Sequence, residues 1–218
     1  MAKRRYSSEA DPTRARILRA ALGCISGTAA GVLSVRTIAA AAEVNVATVH
    51  YYFGTKDAVL TEALELFFAP LVERLDALLE RSGSGRDRLE GFLLFYVGLI
   101  QEHPGIFTSI IEAMIASNIR GEPGAPSAYE KVLMGIIGIG KGRLMGLIRD
   151  LSGIADETVL ALRTLQLMTS VIHPMLISTI PQDQFGIDFH DPATRGRYVR
   201  LLVDSIAGGS GGLSASRT

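Results

Sequence analysis

The 218-residue sequence predicts an all-α protein of about nine helices, with an N-terminal three-helix domain followed by a helical bundle. Three observations favour this fold class. Long segments carry apolar residues at three- and four-residue spacing, short clusters of glycine and proline separate them, and no segment alternates apolar and polar residues as a strand would. The chain is long enough to bury a sizeable core, and its 48% hydrophobic and 20% charged residues are typical of a soluble globular protein.

The expected helices follow one another along the chain. Asp11 and Pro12 form a typical helix start, and the apolar stripe after them includes Ile17 and Ile25. Residues 181–191 are expected to be a connector. The predicted helices cover residues 12–27, 35–42, 46–53, 57–81, 86–102, 106–119, 128–150, 156–179 and 192–207.

Charge and composition divide the chain into four regions: a disordered basic tail at 1–11, a three-helix domain at 12–56, a helical domain at 57–207 and a disordered Gly/Ser-rich tail at 208–218. The net charge is zero overall, yet residues 1–56 carry eight basic and three acidic residues, and the remainder carries 14 and 19. A basic head on an acidic body suggests that the head meets a polyanion. A chance asymmetry with a solvated tail is the plainer alternative.

Cysteine usage and hydropathy predict a cytoplasmic protein. Cys24 is the single cysteine, so no intrachain disulfide can form, and we expect it to be a small buried residue rather than a reactive thiol. No apolar segment follows the basic N-terminus as in a signal peptide. The apolar stretches at 132–148 and 165–180 fall short of the roughly 20 unbroken apolar residues that a membrane span needs.

Residues 34–56 have the pattern of a helix-turn-helix, two short helices joined by a tight turn. Ile38, Val44, Val49 and Phe53 can converge on one small core with the first helix, and part of Tyr51 is expected to join them. The predicted outward face is short, polar and aromatic, as a surface entering the DNA major groove should be. It consists of Asn45, Thr48 and Tyr52, with Ala47, His50 and Tyr51 at its edges.

The same segment resembles the N-terminal domain of TetR-type transcriptional regulators. The resemblance rests on the pattern Thr-x-x-Tyr-x-Phe-x-x-Lys at Thr48, Tyr51, Phe53 and Lys56, and it extends over residues 13–62. It implies a homodimeric regulator, most simply a repressor, that binds a palindromic double-stranded DNA operator.

The resemblance also implies roles for individual residues. Ser34 would cap the second helix and present its N–H groups to a phosphate, and Arg36 would reach the backbone or a base edge. Tyr51 and Lys56 would hold phosphates, for which a solvated lysine is the alternative. The residues that would face the major groove are Val46, Ala47, Thr48, His50 and Tyr52.

Two features depart from the family pattern. Glu43 occupies a turn position that usually holds glycine, and a left-handed backbone there would cost about 1 kcal/mol. His50 and Tyr52 are exchanged relative to the commoner order of these residue types. The departures leave the operator sequence open.

Motifs that resemble catalytic sites lack their structural context. The glycines of 135–140 precede Lys141 as in a P-loop, but Gly142 follows where a hydroxyl residue must bind magnesium, and no strand comes before them. The Gly-x-Ser-x-Gly match at 208–212 lies in the expected tail. The four histidines show no metal-ligand spacing. We therefore expect no enzyme activity, cofactor or metal.

The body is expected to sense a signal and to form the dimer. The resemblance places a small-molecule effector among the middle helices and the dimer surface on helices 157–178 and 192–207. Ordinary core packing is the alternative for each candidate, and His173 is expected to be an interior histidine. The candidate effector-binding residues are Phe92, Phe95, Tyr96, Met114, Met168 and His173. A regulator without an effector and a small helical enzyme or lipid-binding module are the competing readings.

Overall fold

The computed structural model describes residues 11–27, 33–120, 127–176 and 179–208, and within them the side chains other than 117–120, 133, 136–141 and 179–181. These residues form ten α-helices and no strand, which confirms the all-α fold class. The expected tails lie outside them, apart from Asp11 and Gly208. The backbone of the P-loop-like segment at 135–142 is helical. The helices are α1 Pro12–Gly27, α2 Val35–Ala41, α3 Val46–Phe53, α4 Lys56–Glu80, α5 Gly85–Glu102, α6 Pro104–Arg120, α7 Ala128–Ser152, α8 Glu157–Leu176, α9 Thr179–Phe185 and α10 Pro192–Ala207.

The helix α9 is one more than the sequence predicted, and it occupies part of the expected connector at 181–191. The sequence predicts that Pro181 begins a break in the helical structure. It is the third residue of α9, in the first turn, where the backbone N–H has no intrahelical acceptor and its loss costs nothing.

The chain divides into two compact units. The first comprises Met1–Pro70 and His103–Ile136, and the second comprises Leu71–Glu102 and Ile137–Thr218. The division therefore falls within α4 and within α7. The domain boundary expected after residue 56 stays a prediction.

The core of the first unit forms where α1, α2 and α3 meet. Ile17 and Ile25 of α1, Ile38 of α2 and Val49 of α3 are almost completely inaccessible to solvent. The convergence expected for Ile38 and Val49 is confirmed. Cys24 is also buried, and burial raises the pKa of its thiol, so it has the environment of a structural rather than a reactive cysteine.

The C-terminal end of α1 lies directly against the start of α6. A Cβ atom at Gly105 would lie 2.1 Å from the carbonyl oxygen of Ser26, so the two backbones approach too closely for any side chain. One turn further along α6, the buried Ser109 hydroxyl donates to the Ile25 carbonyl at 2.9 Å. This bond satisfies a carbonyl of the last turn of α1, where no intrahelical donor is left.

The second unit is built around α5, which packs against α8 and α10. Leu89, Leu93 and Ile100 of α5 are fully buried, as are Leu160 of α8 and Val199 of α10. Two hydrogen bonds join α8 to α10. Tyr198 donates to the Ser170 carbonyl at 2.6 Å, and Arg163 donates to the Ser205 carbonyl at 3.3 Å.

Hydropathy singles out α8. An 18-residue window within Glu157–Leu176 has a mean hydropathy of 1.2, and only 22% of that window is buried within the chain. By length and composition this helix could cross a membrane, which corrects the expectation that no segment meets that condition. Core helices of soluble proteins meet the same condition, so the finding is weak evidence for a membrane. Most of this window is thus not buried by the described residues.

The contact between α1 and α6 yields a stability prediction. Gly105→Ala should lower the free energy of unfolding by about 2 kcal/mol or more, because the new methyl group meets backbone that cannot yield. Gly23→Ala is the matched control, since nothing lies within 4 Å of a Cβ at that position in α1. Alanine there should raise stability by up to about 1 kcal/mol. Chemical denaturation of both variants measures the difference, and equal effects would contradict the close contact.

Candidate nucleic-acid interface

Side-chain caps define the start of both helices of the helix-turn-helix. The Ser34 hydroxyl accepts from the Thr37 N–H at 3.1 Å and begins α2. The Asn45 carboxamide oxygen accepts from the Thr48 N–H at 2.7 Å and begins α3. Helices of seven and eight residues are too short to be stable alone, so these caps and the packing on α1 maintain them.

The turn between α2 and α3 contains a strained residue. Glu43 has a φ of 53°, and it is the one residue other than glycine with a positive φ in the described part of the chain. The left-handed backbone anticipated at this position is thus present. A Cβ atom in this conformation crowds the following carbonyl, which is why glycine is favoured there.

The exposed face of α3 differs from the predicted one. Ala47, His50 and Tyr51 are exposed, with Tyr51 at 81%, whereas Thr48 and Tyr52 are half-buried. The expectation that Tyr51 joins the core is wrong. Successive residues of a helix are turned by about 100°, so Ala47 and Tyr51, one turn apart, stand opposite the buried Val49.

The C-terminal end of α3 determines which ring nitrogen of His50 is available. Gly54 adopts a positive φ of 75° and ends the helix. Nδ1 of His50 donates to the Gly54 carbonyl at 2.7 Å. Because a carbonyl only accepts, the neutral ring carries its proton on Nδ1 and leaves Nε2 as an acceptor.

Tyr52 is turned towards α1 rather than into the outward face. Its hydroxyl donates to Oδ2 of Asp11 at 2.6 Å, while Oδ1 of Asp11 accepts from the Thr13 N–H at 2.9 Å. The Tyr52 bond is the largest of the influences that lower the pKa of Asp11, and it raises the pKa of Tyr52. The predicted contact of Tyr52 with the major groove stays a prediction, and its hydroxyl is engaged by Asp11. Sequence reasoning saw Asp11 only as a helix start, because no local pattern connects it to α3.

Arg14 of α1 contacts both α3 and α4. The guanidinium of Arg14 lies 5.1 Å from the centre of the Phe53 ring at the end of α3. It also forms an ion pair with Glu62 of α4. Arg14 was missed from the sequence, where it counted only towards the basic charge of the head.

The remaining predicted DNA contacts surround α3. Arg36 is exposed, and Ser34, Val46 and Lys56 are half-buried. The ammonium group of Lys56, the first residue of α4, donates to the Leu33 carbonyl at 3.2 Å. The bond therefore links the start of α4 to the segment that leads into α2. A contact of Lys56 with a DNA phosphate stays a prediction.

Three of the candidate effector residues lie on α5. Phe92 is buried and stacks with Tyr96 at a centroid distance of 6.3 Å and an interplanar angle of 21°. Burial raises the pKa of Tyr96 far above its ordinary value. Phe95 lies under the Arg74 guanidinium at 5.0 Å.

The other three candidates have different surroundings. Met168 is half-buried on α8, and Met114 is an exposed residue of α6, in the first unit. His173 is exposed, which corrects the expectation of an interior histidine. None of the six lines the open cleft of about 710 Å³ in the first unit, whose walls are Arg14, Thr55, Asp57, Ala58, Thr61, Glu62, Glu65, Leu66, Ala69 and Lys131. No group of three or more metal-ligating side chains occurs among the described residues.

Residues 17–63, from α1 into α4, match the family model of the bacterial regulatory proteins of the tetR family. Over these residues, which include the helix-turn-helix, the chain is similar to the regulators of that family. Regulators of that family bind DNA and dimerise. No curated protein matches the chain.

Solved structures of such regulators share the fold of the full chain. A protein from Pseudomonas aeruginosa PAO1 assigned as a transcriptional regulator is 21% identical, with a TM-score of 0.69 over 93% of this chain and 95% of that one. FadR from Bacillus subtilis, in complex with stearoyl-CoA, is 12% identical, with a TM-score of 0.65 over 89% and 98%. A TetR transcriptional regulator from Legionella pneumophila is 19% identical, with a TM-score of 0.64 over 90% and 98%. At these identities the likeness is one of fold.

The strained turn provides the second prediction. Glu43→Gly should raise the free energy of unfolding by about 0.5–1 kcal/mol, since relief of the left-handed strain exceeds the added entropy of the unfolded chain. Glu43→Ala removes the same charge and keeps the Cβ atom, so it should give no such gain. Thermal or urea unfolding measures both. Equal stability of the two variants would show that the charge of Glu43, and not its backbone, sets the effect.

Proposed function

We propose that this protein is a sequence-specific repressor that binds a palindromic operator as a homodimer and is released by a small apolar effector. The exposed face of α3 supports the proposed DNA binding. It presents Ala47, His50 and Tyr51 outward from a capped helix, within a segment of net positive charge. A short helix with such a face fits the dimensions of the major groove.

The chemistry of this face favours particular contacts. With Nδ1 of His50 engaged by the Gly54 carbonyl, Nε2 of the neutral ring form would accept a hydrogen bond, so it suits the amino group of cytosine or adenine. Ala47 and the methyl group of Thr48 suit thymine methyls. Tyr51, Arg36 and the N-terminus of α2 at Ser34 would bind phosphates, which position the protein on the duplex without reading its sequence.

Direct DNA binding tests this core of the proposal. The purified protein should bind the duplex upstream of its own gene more tightly than a random duplex of the same length, measured by gel shift or fluorescence anisotropy at a stated salt concentration. Binding to no DNA even at low salt would reject it and favour the reading of the body as an enzyme or lipid-binding module.

Lys56 is proposed as a phosphate ligand. Its ammonium group uses one of three N–H donors on the Leu33 carbonyl and retains two for an oxyanion at the start of α4. Lys56→Ala should weaken binding to operator and random DNA alike and reduce the slope of log K against log salt by about one.

Lys131→Ala is the matched control for Lys56→Ala. This exposed lysine lies on α7 beside the open cleft, so its removal subtracts the same charge away from α3. Its salt slope should stay near that of the unmodified protein. If Lys56→Ala and Lys131→Ala gave the same slope, Lys56 would act only through the overall charge.

Dimerisation is proposed through α8 and α10. These helices are joined side by side by the Tyr198 and Arg163 hydrogen bonds, and both expose leucines. Leu162 is 61%, Leu165 60% and Leu201 66% exposed. Apolar surface of this kind marks an interaction site, and two half-sites about one helical turn apart require two heads at a fixed separation.

The dimer proposal predicts the effect of charge at this surface. Leu165→Glu and Leu201→Glu should each shift the protein to a monomer in analytical ultracentrifugation, because an interface would bury an unpaired carboxylate. Operator affinity should fall by more than about tenfold as the second half-site contact is lost. Leu66→Glu, on α4 and 48% exposed, is the control that should remain dimeric. A dimer that persists in both interface variants would place the interface elsewhere.

The effector part of the proposal rests on the apolar side chains of α5 and on the fold shared with FadR, which was solved with stearoyl-CoA. Stearoyl-CoA should lower operator affinity if it binds the released state more tightly, and coenzyme A alone should not. Isothermal titration and anisotropy separate binding from release. Binding without any change in operator affinity would contradict effector-controlled release, and the regulator without a small-molecule effector would then be the better reading.

A further inference from the structure

Asp11 makes contacts with two helices through its two carboxylate oxygens. Oδ1 caps α1 by accepting from the backbone N–H groups of Thr13 and Arg14 at 2.9 and 3.4 Å. Oδ2 accepts the hydroxyl of Tyr52, which lies 41 residues away on α3, at 2.6 Å. An O–H···O⁻ bond of this length is in the range of charge-assisted hydrogen bonds, which are roughly twice as strong as neutral ones.

The Tyr52 ring in turn contacts an exposed side chain of α3. It meets Tyr51 edge-on at a centroid distance of 5.2 Å and Phe53 at 6.3 Å. Arg14, three residues after Asp11, lies over the same Phe53 ring. The start of α1 therefore contacts the last turn of α3 at two points, through the Asp11 hydrogen bond and the Arg14 cation–π contact.

We propose that Asp11 is a positioning residue for DNA readout, which sets the orientation of α3 and of the exposed Tyr51 by holding Tyr52. The inference rests on the proposed binding of operator DNA through α3. On this account Tyr52 does not contact bases. Its bond to Asp11 instead fixes the orientation of the exposed face of α3, which contacts the DNA.

The charge of Asp11 makes the proposal distinguishable from a simple electrostatic effect. A carboxylate on a domain that approaches phosphates is repelled by them, so deleting it should by itself tighten binding to every DNA sequence. Loss of the positioning contact should change operator affinity in the opposite direction. It should weaken binding to the operator, whereas binding to random DNA should be unchanged or tighter.

The test is a double-mutant cycle on operator and random duplexes. Asp11→Ser keeps an N-cap hydroxyl for α1 but cannot reach Tyr52, and Tyr52→Phe removes only the hydroxyl. Each single variant, and the double variant, should lower the ratio of operator to random-DNA affinity by the same factor of roughly three to ten, since the two changes break one interaction. Thermal melts confirm that all variants are folded at the temperature of the titrations.

Tyr51→Phe provides the control cycle, because it removes a neighbouring hydroxyl that does not contact Asp11. Its effect should add to that of Asp11→Ser. If Tyr52→Phe still weakened operator binding in the Asp11→Ser background, Tyr52 would contact DNA itself and the proposal would be overturned. If Asp11→Ser tightened binding to both duplexes equally, Asp11 would act on DNA only through its charge. That result would also overturn the proposal.

The cycle separates this inference from the proposed function. An unmodified protein that fails to prefer its operator contradicts the proposed function, and the positioning role falls with it. An unmodified protein that discriminates, together with single variants that discriminate equally well, contradicts the positioning role alone.

Discussion

At the end of α1 the Ser26 carbonyl lies so close to α6 that only glycine fits at position 105, and the adjacent Ile25 carbonyl accepts the Ser109 hydroxyl. These contacts hold one end of α1 against the first turns of α6. The apolar stripe of α1 is buried in the same core as Ile38 of α2 and Val49 of α3. Since α2 and α3 are too short to persist alone, the position of the whole helix-turn-helix depends on how α1 is held.

The opposite end of α1 has a different kind of contact. Asp11 and Arg14 reach the last turn of α3 with a carboxylate and a guanidinium, and Arg14 continues to Glu62 of α4. Polar contacts of this kind depend on direction as well as distance. An apolar core alone would tolerate a rotated α3, whereas a hydroxyl 2.6 Å from a carboxylate does not.

The two compact units differ in the chemistry of their exposed side chains. The first has a basic head whose exposed side chains on α3 are polar and aromatic. The second exposes leucines on α8 and α10, two helices joined by their own hydrogen bonds. Apolar surface in the second unit suits a permanent partner, and polar surface in the first suits a wet, charged ligand such as DNA.

The sequence by itself determined the all-α class, the helix-turn-helix, the burial of Cys24 and the strained turn at Glu43. Each follows from short-range rules: helical spacing, capping residues and the steric cost of a left-handed backbone. The rotation of 100° per residue also places Tyr51 opposite the buried Val49, so its exposure follows from the sequence, although part of Tyr51 was expected in the core. Only the tertiary structure decided that Tyr52 turns to Asp11 and that Arg14 covers Phe53, because these partners are about 40 residues apart in sequence. No local pattern indicates which side chains two packed helices bring together. The exposure of His173 likewise depends on tertiary packing.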